Sequence, residues 1–192
     1  WDPKYSGEIL TFNNSRDAFG VAQYLLGYDV NSTNPDEWRA AEEKLKEQKP
    51  LIQSYVMDEV FNKMEAGEAA MAPYYAGDYL TMKQENDDLA FVYPKEGTNK
   101  FVDVMCIPSS SENKKAAELF INYMCEPEVA LHNANYLGYL CPVTAVLSDD
   151  RYEYKDNEVL YPKQEVKTQF FHNLDQDTLD LLSKLWEDLK LA

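Results

Sequence analysis

Residues 91–108 read FVYPKEGTNKFVDVMCIP. The run predicts two short apolar strands, Leu89–Tyr93 and Phe101–Ile107, joined by a Lys95-Glu96-Gly97 turn. On the second strand the two-residue period puts Phe101, Asp103, Met105 and Ile107 on one face. A carboxylate on that apolar face is costly unless it is paired or sits at the strand's end. Asp103 is therefore hard to dismiss as surface decoration. A second cluster lies upstream, GEAAMAPYYAGDYL at residues 67–80. Its small residues Ala69–Pro73 predict a strand in a crowded parallel sheet. Tyr74, Tyr75 and Asp78 stand at the exit of that strand. Gly77-Asp78 opens a helix, with Asp78 as its N-cap.

Outward from these two clusters, strands alternate with helices. Gly7–Phe12 reads as a strand, and Asn13-Asn14-Ser15 caps a helix that runs to Leu26 and closes at Gly27. Ala18, Ala22, Leu25 and Leu26 make its buried stripe. Asp17 falls at N3, where an acid favours the positive end of the helix dipole. Asn34-Pro35-Asp36-Glu37 starts a helix that reaches Gln48, with Trp38, Ala41 and Leu45 inward. Leu51–Val56 is a strand and Met57–Ala66 a short helix closed by Gly67. Glu112–Cys125 is a helix with Ala116, Leu119, Phe120 and Tyr123 inward. Pro127 starts another, ending near Gly138, with Tyr139 exposed by the turn. Residues 149–162 are polar, tyrosine-rich and irregular. Thr178–Lys190 is amphipathic, with Leu179, Leu182, Trp186 and Leu189 on one stripe. The alternation predicts an α/β fold with a largely parallel sheet. Ligands bind such sheets at the carboxyl ends of strands, at or near which Asp17, Asp78 and Asp103 fall.

The chain has 192 residues, 45% hydrophobic, with 34 acids against 18 Lys and Arg. That is length and apolar content enough for a real core. A net charge of −16 argues against nucleic acid, whose phosphates need a basic face, and it draws cations. Cys106, Cys125 and Cys141 show no metal-site spacing, so free thiols are expected, buried at Cys106 and Cys125; a Cys125–Cys141 disulfide is the open alternative. No apolar stretch approaches the roughly 18 residues of a membrane span. The opening WDPKYSGEIL lies almost at once against a strand, as in the interior of a longer protein, so a signal or anchor is expected upstream. The two histidines, His132 and His172, have no evident catalytic partner, and no G-x-S-x-G, P-loop or G-x-G-x-x-G occurs. No cofactor and no metal site is indicated. A carboxylate-pair glycosidase using Asp78 and Asp103 stays open, as does a protein-interaction domain with exposed aromatics.

Acids beside aromatics at strand ends match an organic amine better. Ammonium groups take charge-assisted hydrogen bonds from carboxylates, and aromatic faces attract the cation and line its methylene chain. A polyamine repeats that demand along its length.

At these residues the sequence resembles the spermidine/putrescine-binding proteins, the substrate-binding components of polyamine ABC transporters. The likeness rests on the Tyr5–Gly27 strand-helix unit, on the block from Met64-Glu65-Ala66-Gly67-Glu68 through Tyr75-Ala76-Gly77-Asp78, and on YPKEGTNKFVDVMCIP from Tyr93. NKKAAELFINYMCEPEVA and the Leu137-Gly138-Tyr139 turn add to it. The resemblance covers nearly the whole chain, which matches the C-terminal part of family members. It implies a type II periplasmic-binding-protein architecture in which two lobes close on a ligand. Residues 1–103 would form most of the second lobe, residues 104–148 would cross to the first, and residues 149–192 would return. It further implies extracytoplasmic transport work, a permease partner, no enzyme activity, and an open face inviting dimerisation. Position by position, Asp17 matches the acid that binds a terminal amine, and Asn14 stands where some members have another acid. Tyr75 falls where the family has a tryptophan. Asp78 matches an acid of putrescine-preferring members. Phe101 occupies a tryptophan-or-phenylalanine position. Asp103 matches the central amine-binding aspartate, and Tyr139 a site tyrosine. A polar site residue near His172 or Asn173 has no firm alignment. The resemblance leaves another cation or a sugar as the alternative ligand.

Overall fold

Sequence-local signals fix most of the helices. In the computed structural model, which describes residues 1–192, α1 spans Ser15–Leu26, capped by Asn14 and closed by Gly27 in the left-handed region (φ 76°). Asn34 caps α2, Pro35–Gln48, with proline in its first turn. α2 leads into a 3-10 turn and then β2, Ile52–Val56, which pairs in parallel with β1, Ile9–Phe12. α3 spans Glu59–Glu65 and α4 spans Ala76–Glu85. Next come β3, Thr98–Lys100, α5, Lys114–Met124, α6, Pro127–Leu137, and the single turn α7, Thr144–Leu147. β4, Thr168–Phe170, pairs in parallel with β3, and α8, Gln176–Leu191, ends the chain.

The chain gathers into two compact units. The first comprises Trp1–Tyr75, Met82–Phe101 and Val166–Ala192; the second comprises Ala76–Thr81 and Val102–Glu165. The core of the first joins α1, α2 and α8 through Phe19, Ala22, Trp38, Ala41, Leu45, Leu182, Leu185 and Leu189. Trp38 is fully buried, donates its indole N–H to the Ser32 carbonyl at 2.7 Å, and packs its ring on Phe19 at 5.8 Å. The core of the second joins α6 and α7 to the tyrosine-rich segment through Ala130, Leu131, Ala134, Val146 and Tyr152.

Several expectations are corrected. Residues 69–73 form no strand. Met71 makes one parallel bridge to Ile9, and its carbonyl accepts from the Leu10 N–H at 2.8 Å, before Pro73 removes a donor. Neither residues 89–93 nor residues 101–107 carry a ladder. The strand of this stretch is Thr98–Lys100, between the two expected ones. A ladder needs a neighbour, and β4 offers three residues, matched Thr98 to Thr168 and Lys100 to Phe170. Val102, Val104 and Met105 are accordingly exposed, at 69%, 73% and 52%. Leu119, Phe120 and Tyr123 of α5 face outward instead of inward, and so does Ala116. Leu25 and Leu179 leave their stripes for the surface. Cys106 and Cys125 are exposed, not buried, and all three thiols are free. No helix is long and apolar enough to cross a membrane.

Candidate ligand-binding site

In the first unit the candidate residues follow the carboxyl ends of parallel strands. β1 ends at Phe12. Asn14 then turns its side chain onto the first turn of α1, accepting from the N–H groups of Arg16 at 2.9 Å and Asp17 at 3.4 Å. That capping fixes Asp17 at N3, half-buried, with its two oxygens held by different elements. Oδ2 accepts from the Tyr75 hydroxyl at 3.3 Å, and Oδ1 accepts from the Asn99 amide on β3 at 3.4 Å. Burial pushes the Asp17 carboxyl above the usual aspartate range; the Tyr75 hydrogen bond and the Arg16 charge work against that rise.

Arg16 does not pair with its neighbour. Its guanidinium lies 4.6 Å from the centre of the Phe171 ring and 5.7 Å from that of Trp38. It donates to Asn31 Oδ1 at 3.1 Å and to the His172 carbonyl at 3.4 Å. The His172 N–H donates to the same Asn31 oxygen at 2.7 Å. His172 thus enters through its backbone, while its exposed side chain takes no part. Burial lowers the Arg16 pKa. Asp17 is left as a partly desolvated carboxylate held by neutral donors.

An aromatic wall stands beside it. Tyr75 packs on Phe101 at 5.4 Å (68° between planes), on Phe12 at 5.7 Å and on Tyr74 at 4.9 Å. Phe12 stacks on Tyr74 at 5.9 Å, and Phe61 meets Tyr74 edge-on. Contacts of this kind hold aromatic rings in place, and the face of such a ring attracts a cation.

The second unit repeats the arrangement. Asp78 is not the N-cap expected; Tyr75 occupies that position, and Asp78 lies at N3 of α4, as Asp17 does in α1. The helix starts three residues earlier because Tyr75 is the last extended residue (ψ 146°). Asp78 Oδ1 accepts from the Tyr139 hydroxyl at 2.9 Å. Tyr139 is placed by three contacts. Gly138 closes α6 in the left-handed region (φ 68°), Tyr152 donates to the Tyr139 carbonyl at 3.4 Å, and the ring lies flat on Gly77. A Cβ at Gly77 would overlap three ring atoms, so the approach requires glycine there. Burial, then the hydrogen bond to Asp78, raise the Tyr139 phenol far above its ordinary pKa; the charge of Asp103 adds to the rise. Asp103 itself is exposed.

The structure therefore joins Asn14, Asp17, Tyr75 and Phe101 in one unit, and Asp78, Tyr139 and the field of Asp103 in the other. Sequence reasoning missed Phe12 and Asn99. Phe12 reads as an ordinary strand residue, and Asn99 falls between the expected turn and the expected strand. No group of His, Cys, Asp and Glu side chains is gathered to hold a metal ion.

The model of the bacterial extracellular solute-binding protein family matches residues 1–160. The spermidine/putrescine-binding periplasmic protein of Escherichia coli (strain K12) is 32% identical over 165 residues, which is 86% of this chain and 47% of the relative. The putrescine-binding periplasmic protein PotF of the same organism is 27% identical, over 84% of this chain and 45% of its own length. Among solved structures, the spermidine/putrescine ABC transporter substrate-binding protein PotD of Streptococcus pneumoniae superposes with a TM-score of 0.83 at 29% identity, covering 100% of this chain and 60% of that one. A Listeria monocytogenes protein named as a spermidine/putrescine ABC transporter gives a TM-score of 0.84 at 32% identity, covering 99% and 59%. The curated relatives are named as periplasmic binding proteins, and the chain spans about half their length. The fold is the α/β fold of the periplasmic binding proteins, and the chain belongs to the bacterial extracellular solute-binding protein family.

Proposed function

We propose that this chain is part of an extracytoplasmic substrate-binding protein that captures a polyamine, putrescine or spermidine, and delivers it to the permease of an ABC transporter. The observation that carries the reading is Asp17, a half-buried carboxylate with neutral donors on both oxygens beside the rings of Phe12, Tyr75 and Phe101. A half-buried carboxylate wants a counter-charge, and Arg16, the nearest cation in sequence, is engaged elsewhere. An alkylammonium supplies that charge and lays its methylenes on the rings.

In this reading Asp17 is the amine-binding acid of the first unit, and Asp103, exposed, is an amine-binding acid of the second. Asn14 shapes the first turn of α1, and Phe101 and Tyr75 flank the carbon chain. Asp78 and Tyr139 add a second carboxylate–phenol pair. The names of the relatives support the ligand class, and the −16 charge supports steering of a cation. Residues 1–103 make up most of one lobe, residues 104–148 belong to the other, and residues 149–192 return. The family description supports placement outside the cytoplasm.

The test is calorimetry on the full-length protein with putrescine, spermidine and a neutral sugar. Asp103→Asn is expected to abolish polyamine binding. Unchanged affinity would remove Asp103 from the site, and binding of the sugar in place of amines would overturn the ligand class.

A further inference from the structure

Asn99 is a residue that the apolar pattern of residues 91–108 passes over. It sits at the centre of β3, and its position is fixed from three sides. Gly97, at φ 126°, immediately precedes the strand, and a Cβ there would meet the Lys167 carbonyl at 3.1 Å and the Tyr24 ring of α1 at 3.1 Å. Thr98 donates its N–H to the same Lys167 carbonyl at 3.0 Å. Asn99 itself registers with Gln169 of β4, whose side-chain oxygen accepts from the Val30 N–H at 3.1 Å. β3 is thereby docked on α1 and on β4, and the Asn99 amide is presented to Asp17 Oδ1.

We infer that Asn99 is a positioning residue for ligand capture: its amide, opposite the Tyr75 hydroxyl, orients the Asp17 carboxylate and satisfies one of its oxygens without neutralising it. The inference rests on the reading of Asp17 as an amine-binding acid. The chemistry requires a neutral donor here. A lysine or arginine would pair with Asp17 and compete with the ligand ammonium, whereas an apolar residue would leave one carboxylate oxygen desolvated and unbonded. An ionised carboxylate offers about four acceptor positions, so two remain for an ammonium after Tyr75 and Asn99 have each taken one. The charged or titratable groups that act on Asp17 are Arg16 on its own helix and Tyr75 at the start of α4.

The experiment uses the full-length protein and the variant Asn99→Leu, which removes the amide at similar volume, with Asn99→Ala in its place should the leucine variant fail to fold. Two readouts are taken. One is the Asp17 carboxyl titration by carbon-13 NMR without ligand; the other is putrescine affinity by calorimetry across pH. Loss of a hydrogen bond to the charged form should raise the Asp17 midpoint by about half a pH unit. It should also weaken putrescine binding at neutral pH by about five- to tenfold. The acid-side fall in affinity should move to higher pH by the same interval as the NMR midpoint. An unshifted midpoint, or weaker binding with an unmoved acid limb, would show a merely structural contact and overturn the inference. If wild-type protein binds no polyamine while the midpoint still shifts, the ligand reading fails and the Asn99–Asp17 contact stands.

Discussion

Asp17 is a half-buried carboxylate whose two oxygens are held by donors from two different elements. Its charge is partly desolvated, its oxygens are hydrogen-bonded, and its neighbour Arg16 is held between two rings. Because its folded-state pKa lies above that of an unfolded chain, ionised Asp17 is a cost of folding. The unliganded protein should therefore lose stability as pH rises through the interval from the ordinary aspartate value to the raised one. Asp17→Asn should flatten that part of the stability–pH curve, as read by urea unfolding at several pH values. Amine capture by Asp17, as proposed, requires the charged form, so affinity should fall on acidification at a higher pH than an ordinary aspartate would give. At Tyr139, phenylalanine would keep the ring on Gly77 and remove the hydroxyl from Asp78. Tyr139→Phe should cost about 1 kcal/mol of stability, measured by thermal or chemical unfolding. The placement of Asn14 and Asp17 was legible because capping is local: an asparagine before a serine and an acid three positions on define the helix start. The Asp17–Asn99 contact joins residues 82 positions apart, and no short-range pattern announces it.

Among the elements, the two N3 aspartates define the design. α1 and α4 each begin after an extended residue, carry an aspartate in the first turn, and set it against a tyrosine hydroxyl. α1 owes its start to Asn14, whose oxygen takes two backbone N–H groups. Asn14→Ala should destabilise the protein by about 1 kcal/mol and weaken polyamine binding as well, since Asp17 moves with the frayed turn. Melting temperature and calorimetric affinity would show both effects, and loss of stability alone would separate the cap from the site. Gly77-Asp78 has the local chemistry of a helix cap, yet the helix starts at Ala76 and places Asp78 in its first turn. The strand at residues 101–107 failed for a different reason. Alternation reports which faces are apolar, while a ladder depends on β4, which lies far along the chain and pairs with Thr98–Lys100. The same holds for α5: its stripe is legible, but what covers it is not, and Leu119, Phe120 and Tyr123 lie open at 63%, 56% and 57%.

At the scale of the whole molecule, the exposed side chains of Val102, Val104, Met105 and the α5 stripe belong to one compact unit. An apolar surface of that kind favours association. The isolated 192-residue chain is expected to self-associate, giving light-scattering masses above 22.2 kDa. A strict monomer would contradict that expectation. The α/β class was readable from the order of elements because helix caps, prolines and glycines punctuate the chain at each boundary. The separation into two units was not readable from periodicity, since the crossings at Tyr75, Thr81, Phe101 and Glu165 fall inside apolar or polar runs that look continuous. The central proposed contact is that of Asp17 with an ammonium ion. Calorimetric titration of putrescine and spermidine into full-length wild-type protein and Asp17→Asn measures this directly. Loss of a charge-assisted hydrogen bond should weaken binding of at least one polyamine by about 10- to 100-fold. Equal affinity in the two proteins, or no polyamine binding by the wild type, would contradict it.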